Sequence, residues 1–324
     1  MGQLNFAGKK TYKKKNRQKK SPKNKNKTKK VNTAKFKKMV CAPKQRAKVD
    51  SEMLDFSCYS TKTLRNFKRI WNSEHPEQQI TVSEPLEIWS FFKNNLKEKC
   101  YNELCWLNNL PLDSEIDKNE MAETIFRPYS PREWNDKPST WLSSDDIIKV
   151  MKQYTNKYKN FAFIGPSPID FDTMELRDTC VYKKLCKFNL EKYYVDSDIT
   201  KIGIIFNLDK HNMPGSHWVS LFVDLDKKFI FYFDSNGVRI PKQINALKNR
   251  IVKQAADLNI KLKYYTNYDI VHQKKDGQCG MYCLFFIVQL LRENKTPTYF
   301  LKNRVTDESM EDYRLKYFNS KVEV

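Results

Sequence analysis

Acidic residues are missing from the first 49 positions, which carry 19 lysines and arginines. The rest of the chain holds 40 basic residues against 38 acidic ones, so only about +2 of the net charge of +21 belongs to the body. That balance argues against a nucleic-acid-binding body. Residues 1–49 also have almost no large apolar side chains. They are expected to form a disordered basic tail, because they could not bury enough surface to offset the entropy of ordering. Such a tail reads as a solvated arm, as a contact for nucleic acid or as a nuclear address. No run of 18 apolar residues occurs, which argues against a membrane-spanning helix. No signal-peptide core follows Met1, and Phe6 stands where a myristoylation motif needs Ser or Thr. A soluble intracellular protein is the expectation. The eight cysteines include no CxxC pair, which points to a reducing compartment and free thiols. His272, Cys279 and Cys283 lack an evident fourth ligand for zinc, so no metal and no cofactor is expected.

What is present is organised in blocks. Residues 50–110 read as a helical region, with Leu54, Phe56, Leu64, Phe67, Ile70 and Trp71 near helical spacing. Pro85 opens a second segment carrying Leu86, Trp89, Phe92 and Leu96. Residues 111–140 contain Pro111, Pro128, Pro131 and Pro138 and read as a connecting loop. A larger block, 141–324, follows. Ser143 and Asp146 form a capping-box pattern for a helix running to about Lys157. Strands are expected at Phe161–Ile164, Ile202–Leu208, Trp218–Leu225, Phe229–Asp234 and Lys263–Tyr268. Asp226-Lys227-Lys228 marks a hairpin between the third and fourth. Helices are expected over 241–258 and Cys279–Arg292. A run of strands flanked by helices predicts the α+β class.

Three residues in this block stand out. His217 opens a strand just after Pro214-Gly215, and Asp234 ends the partner strand of the hairpin. The start of one hairpin strand lies beside the end of the next, so the two can meet across 17 residues of sequence. Cys279 starts the last strong helix, where the partial positive charge and free N–H groups favour a thiolate and can hold an oxyanion. Gln273 offers an amide as a second oxyanion donor. Gly277 suits a tight turn, and Gly280 would let a substrate approach closely. A thiol is a weak nucleophile at its ordinary pKa of about 8.5; a base, and an acid to orient that base, correct this.

The set His217-Trp218, Asp234, Gln273 and Gln278-Cys279-Gly280 resembles the SUMO-specific and adenovirus-type cysteine protease superfamily. The fuller strings Val271-His272-Gln273 and Gln278-Cys279-Gly280-Met281-Tyr282 are most similar to processing proteases of pox-, asfar- and mimi-type viruses. The resemblance covers roughly residues 140–295. It implies a papain-like core with His217 as general base, Asp234 as its orienter, Cys279 as nucleophile and Gln273 as oxyanion donor. It also implies a narrow substrate channel walled by Trp218 and leading past Gly280. Family substrates end in Gly-Gly, so the implied activity is an endopeptidase cutting viral polyprotein or core-protein precursors during virion maturation. The implied places of action are the virion and the host cytoplasm. Two other readings stand beside it: an isopeptidase removing SUMO- or ubiquitin-like modifiers, and a basic nucleic-acid-binding virion protein. Gln278 departs from the Asp or Glu that many members carry before the cysteine.

Overall fold

The central strands are apolar at nearly every position, and this places them between two layers of helix rather than at a surface. The computed structural model describes residues 36–43, 54–110, 115–175 and 179–320. The basic stretch 1–35 lies outside the described residues. A five-stranded sheet has the order β1 (Phe161–Pro168), β2 (Lys201–Asn207), β3 (Trp218–Asp224), β4 (Phe229–Phe233) and β5 (Lys263–Thr266). The pairs β1/β2 and β4/β5 are parallel, and β2/β3 and β3/β4 are antiparallel. The fold is α+β, as the strand run predicts.

Alternation along the hairpin sorts its side chains. Phe222, Phe231 and Phe233 pack with α5 (Ser144–Lys157) and α9 (Cys279–Leu291). Val219, Leu221, Val223, Ile230 and Tyr232 pack with α8 (Lys242–Asp257) on the other face. Each buried Phe contributes about 2–3 kcal/mol of transfer free energy. Every residue of α9 is buried. A helix apolar all round must be central, and that anchors whatever its first residue does. The α5 helix starts on the expected capping box: Ser143 accepts from the Asp146 N–H, and the Asp146 carboxylate accepts from the Ser143 N–H. Two short helices, α6 (Lys183–Cys186) and α7 (Leu190–Tyr194), lie in the crossover from β1 to β2. After α9 come α10 (Pro297–Lys302) and α11 (Asp307–Tyr317), neither of which the sequence pattern singles out.

The N-terminal helices α1 (Thr61–Glu74), α2 (Pro85–Asn95) and α3 (Leu104–Asn109) share a core rich in aromatics, including Phe67, Phe92 and Trp106. Three expectations need correction here. The stretch 111–140 is not simply a loop, because α4 (Glu115–Ile125) occupies its proline-free middle and Met121 and Ile125 pack on this core. Residues 36–43 do not belong to a free tail. Met39 is buried in the same core, and the Asn319 side chain accepts from the Val40 N–H (2.7 Å) and donates to its carbonyl (3.0 Å). The cysteines are not all free thiols. Cys41–Cys58, Cys100–Cys105 and Cys180–Cys186 are disulfide-bonded, with Cα atoms 5.3, 5.4 and 6.6 Å apart. Their separations of 17, 5 and 6 residues carry no CxxC signature, and the fold rather than the spacing brings each pair within bridging range. Among the described residues, Cys279 and Cys283 remain free, and no helix is long and apolar enough to cross a membrane.

Candidate active site

One end of the sheet gathers the loops that follow β2, β4 and β5 together with the start of α9. The hairpin register pairs Ser220 with Phe233, so His217 falls opposite Asn236 rather than Asp234. The ring reaches diagonally instead. His217 Nε2 lies 2.7 Å from Asp234 Oδ1, which also accepts the Asn236 N–H at 2.8 Å. Asp234 is 1% exposed and its backbone is clamped by Asn267, which accepts its N–H (3.0 Å) and donates to its carbonyl (2.6 Å). A buried carboxylate held this way cannot swing, so it orients the imidazole.

With Nε2 on Asp234, the other ring nitrogen, Nδ1, is left for Cys279, which lines the same cavity and raises the ring's proton affinity. Burial works against charge on the ring. The Asp234 carboxylate and the Cys279 sulfur outweigh it and lift the His217 pKa from 6.5 to about 9. An imidazolium therefore persists at neutral pH beside the sulfur. Cys279 is the first residue of α9, after Gln278. The first intrahelical bond runs from the Tyr282 N–H to the Gln278 carbonyl, so the N–H groups of Cys279, Gly280 and Met281 have no partner within the helix. They form a ready anion site.

Gln273 sits on the loop before α9 and lines a cavity of about 190 Å³ together with His217, Asn236, Cys279 and Trp141. Its Oε1 accepts the Ser235 hydroxyl (2.8 Å), and its Nε2 donates to the Lys275 carbonyl (2.8 Å). The adjoining His272 is buried, and its Nδ1 accepts the Val305 N–H at 3.0 Å. Burial lowers its pKa to about 4, so this ring is neutral and structural.

Trp141 also lines a second, larger cavity of about 610 Å³, with Trp218, Pro166, Pro168, Met213 and Asp145 among its walls. Trp141 is exposed while Trp218 is buried and donates its indole N–H to the Leu142 carbonyl (3.0 Å). Trp141 is thus common to both cavities, while Trp218 lines only the larger one. Trp218 is the residue expected to wall the channel; Trp141, which carried no such expectation, lines both cavities. Gly280 lines neither cavity. A Cβ at this position would meet Leu142 and Trp218 at 3.1–3.3 Å, so the glycine lets α9 pack closely against them.

Arg314, on α11, has no signal in local sequence. Its guanidinium donates to the carbonyls of Gly277 (2.9 Å), Thr140 (3.1 Å) and Ser139 (3.4 Å) and to Gln278 Oε1 (3.0 Å), and it stacks on Trp134 at 4.1 Å. It ties the segment entering Trp141 to the turn entering Cys279. Gln278, the departure from the acidic pattern, is a neutral acceptor for this buried cation. Gly277 has φ +86°, and the Ser139 carbonyl lies where its Cβ would be. Among the described residues no cluster of three His, Cys, Asp or Glu could hold a metal ion.

Chemically, a cysteine sulfur, an imidazole that takes up and gives back its proton, and a set of N–H donors in one cleft suit acyl transfer. Comparisons with known proteins agree with that chemistry. The family described as the Ulp1 protease family, C-terminal catalytic domain, matches residues 150–324. A protein of Acanthamoeba polyphaga mimivirus assigned as a thiol protease is 31% identical over 239 residues, covering 73% of this chain and 76% of that one. A cysteine protease of African swine fever virus is 27% identical over 244 residues, covering 72% and 88%. The crystal structure of an African swine fever virus protease shares the fold, with a TM-score of 0.58 at 22% identity over 87% of this chain and 96% of that one. The chain belongs to the Ulp1 protease family and is a cysteine protease.

Proposed function

We propose that this protease is a virus-encoded endopeptidase that cuts precursor proteins after Gly-Gly sites during virion maturation. The observation that carries the reading is the His217 ring, bonded to Asp234 and sharing with Cys279, Gln273 and Trp141 a cavity that adjoins a larger one at Trp141. Viral relatives of both kinds support the setting. Glycine suits an approach past the exposed Trp141 indole, because it alone brings an extended backbone close without a side chain.

In this mechanism the Cys279 sulfur attacks the scissile carbonyl as a thiolate. The developing oxyanion takes N–H groups from the start of α9 and from Gln273 Nε2. His217, protonated at the start, delivers its proton to the leaving amine and then activates the water that hydrolyses the acyl-enzyme. Asp234 holds the ring in the tautomer that keeps Nδ1 toward sulfur.

A peptide ending in Gly-Gly vinyl sulfone tests the site. It should add one equivalent to Cys279 in the wild type and none in His217→Ala at neutral pH. Labelling elsewhere, or none, would reject the assignment. A ubiquitin-like vinyl sulfone run in parallel separates the precursor protease from a deconjugase, whose chemistry is the same and whose acyl donor differs.

A further inference from the structure

Ser235 follows Asp234 at the end of β4 and is 1% exposed. It grips the Gln273 loop in two ways. Its backbone carbonyl accepts the N–H groups of both His272 and Gln273 at 2.9 Å, and its hydroxyl donates to Gln273 Oε1 at 2.8 Å. The side-chain bond has a separate consequence. The oxygen and nitrogen ends of a glutamine amide are nearly the same size, so either can face a cavity. A carbonyl turned toward the developing oxyanion would repel it, while an N–H would stabilise it. The Lys275 carbonyl can only accept, so it favours Nε2 on its side, but one contact at one end leaves the amide free to twist or break away. The Ser235 hydroxyl then satisfies the oxygen end. One of the two Nε2 hydrogens is used on Lys275, and the second is left for the cavity that Gln273 shares with Cys279.

We propose that Ser235 is a positioning residue for the oxyanion site, fixing the Gln273 amide so that its remaining N–H faces the substrate carbonyl. The inference rests on the role given to Gln273 above. It assigns Ser235 no contact with substrate. Because the two backbone bonds survive substitution, Ser235→Ala removes the hydroxyl contact alone and leaves the loop anchored.

The test is a double-mutant comparison of wild type, Ser235→Ala, Gln273→Ala and the double variant. Each is assayed on a Gly-Gly-Xaa peptide and titrated with two ligands. One ligand is a peptide aldehyde ending in Gly-glycinal, whose carbonyl adds the Cys279 thiol to give a hemithioacetal with its oxygen at the oxyanion position. The other is the product acid ending in Gly-Gly, which forms no tetrahedral centre. Loss of one such hydrogen bond predicts a fall in kcat of about tenfold for Ser235→Ala with KM little changed. Aldehyde affinity should fall by a similar factor, and product affinity should stay within about twofold. In the Gln273→Ala background, Ser235→Ala should cost less than about twofold further. An undiminished tenfold loss in that background, or an equal loss of product affinity, would overturn the proposal. If Gln273→Ala keeps full activity, the oxyanion role of Gln273 itself fails. If Gln273→Ala is impaired and Ser235→Ala is not, only the positioning role fails.

Discussion

Replacing Asp234 by Asn isolates what the carboxylate does for His217, because Asn keeps the size of the side chain and an oxygen for the Asn236 N–H. In the wild type the ring pKa rises from 6.5 to about 9 although burial opposes it. That difference corresponds to about 3 kcal/mol favouring the imidazolium. The sign follows from a raised pKa. The protonated ring is present through neutral pH and is lost as pH rises through about 9. The same pair contributes to stability below about 6.5, and that contribution also disappears as pH rises through about 9. If leaving-group protonation needs the imidazolium, wild-type kcat/KM on a Gly-Gly peptide should fall above pH of about 9. Asp234→Asn removes both the charge and the charged hydrogen bond and leaves burial in place. The alkaline limb should then move down by at least about one pH unit, with kcat at pH 7 reduced by about tenfold or more. A pH–rate profile measured from pH 6 to 10 in constant ionic strength reads both quantities. An unchanged alkaline limb in Asp234→Asn, or a wild-type limb near 6.5, would refute the reasoning.

Burial holds His272 at about 4, so the unfolded chain takes up a proton that the folded chain refuses. Stability should drop as pH falls from 6.5 toward 4, by about 2 kcal/mol at pH 5, and urea denaturation should show a smaller drop for His272→Gln. Gly277→Ala meets both the positive φ and the Ser139 carbonyl. It should cost more than about 1 kcal/mol in thermal unfolding and lower kcat, since the turn that delivers Cys279 must shift. Arg314→Met leaves four acceptors without their donor, with an expected loss of about 3 kcal/mol. Its kcat/KM should fall too, because Trp141 and Cys279 lose their common tie; unchanged stability would show that the fork contributes little.

Local pattern made the catalytic half of the fold legible. Two β-rich runs, Trp218–Asp224 and Phe229–Phe233, joined by Asp226-Lys227-Lys228 marked the hairpin, Ser143 with Asp146 marked the start of α5, and the apolar density after Cys279 marked α9. His217, Asp234 and Cys279 could be placed on those elements, and the fold brings the three side chains to one cleft. The rest depends on contacts between distant segments. Four prolines in 111–140 concealed the proline-free run that forms α4. Nothing near position 314 announces an arginine reaching the carbonyls of 139, 140 and 277. Asn267 is an ordinary polar residue after a strand until its amide pairs with the backbone of Asp234. Gly280 is a case where the surroundings were hidden. Its small size was legible, but only the fold shows that the space it leaves is occupied by Leu142 and Trp218.

The central claim is that Cys279 cuts protein chains after Gly-Gly. Its most direct test is a peptide library, randomised around a central bond, digested by the full chain and by Cys279→Ala in parallel and read by mass spectrometry. The account predicts cuts by the wild type concentrated after Gly-Gly and none by the variant. Cleavage by Cys279→Ala at the same bonds, or wild-type cleavage indifferent to glycine on the acyl side, would contradict it.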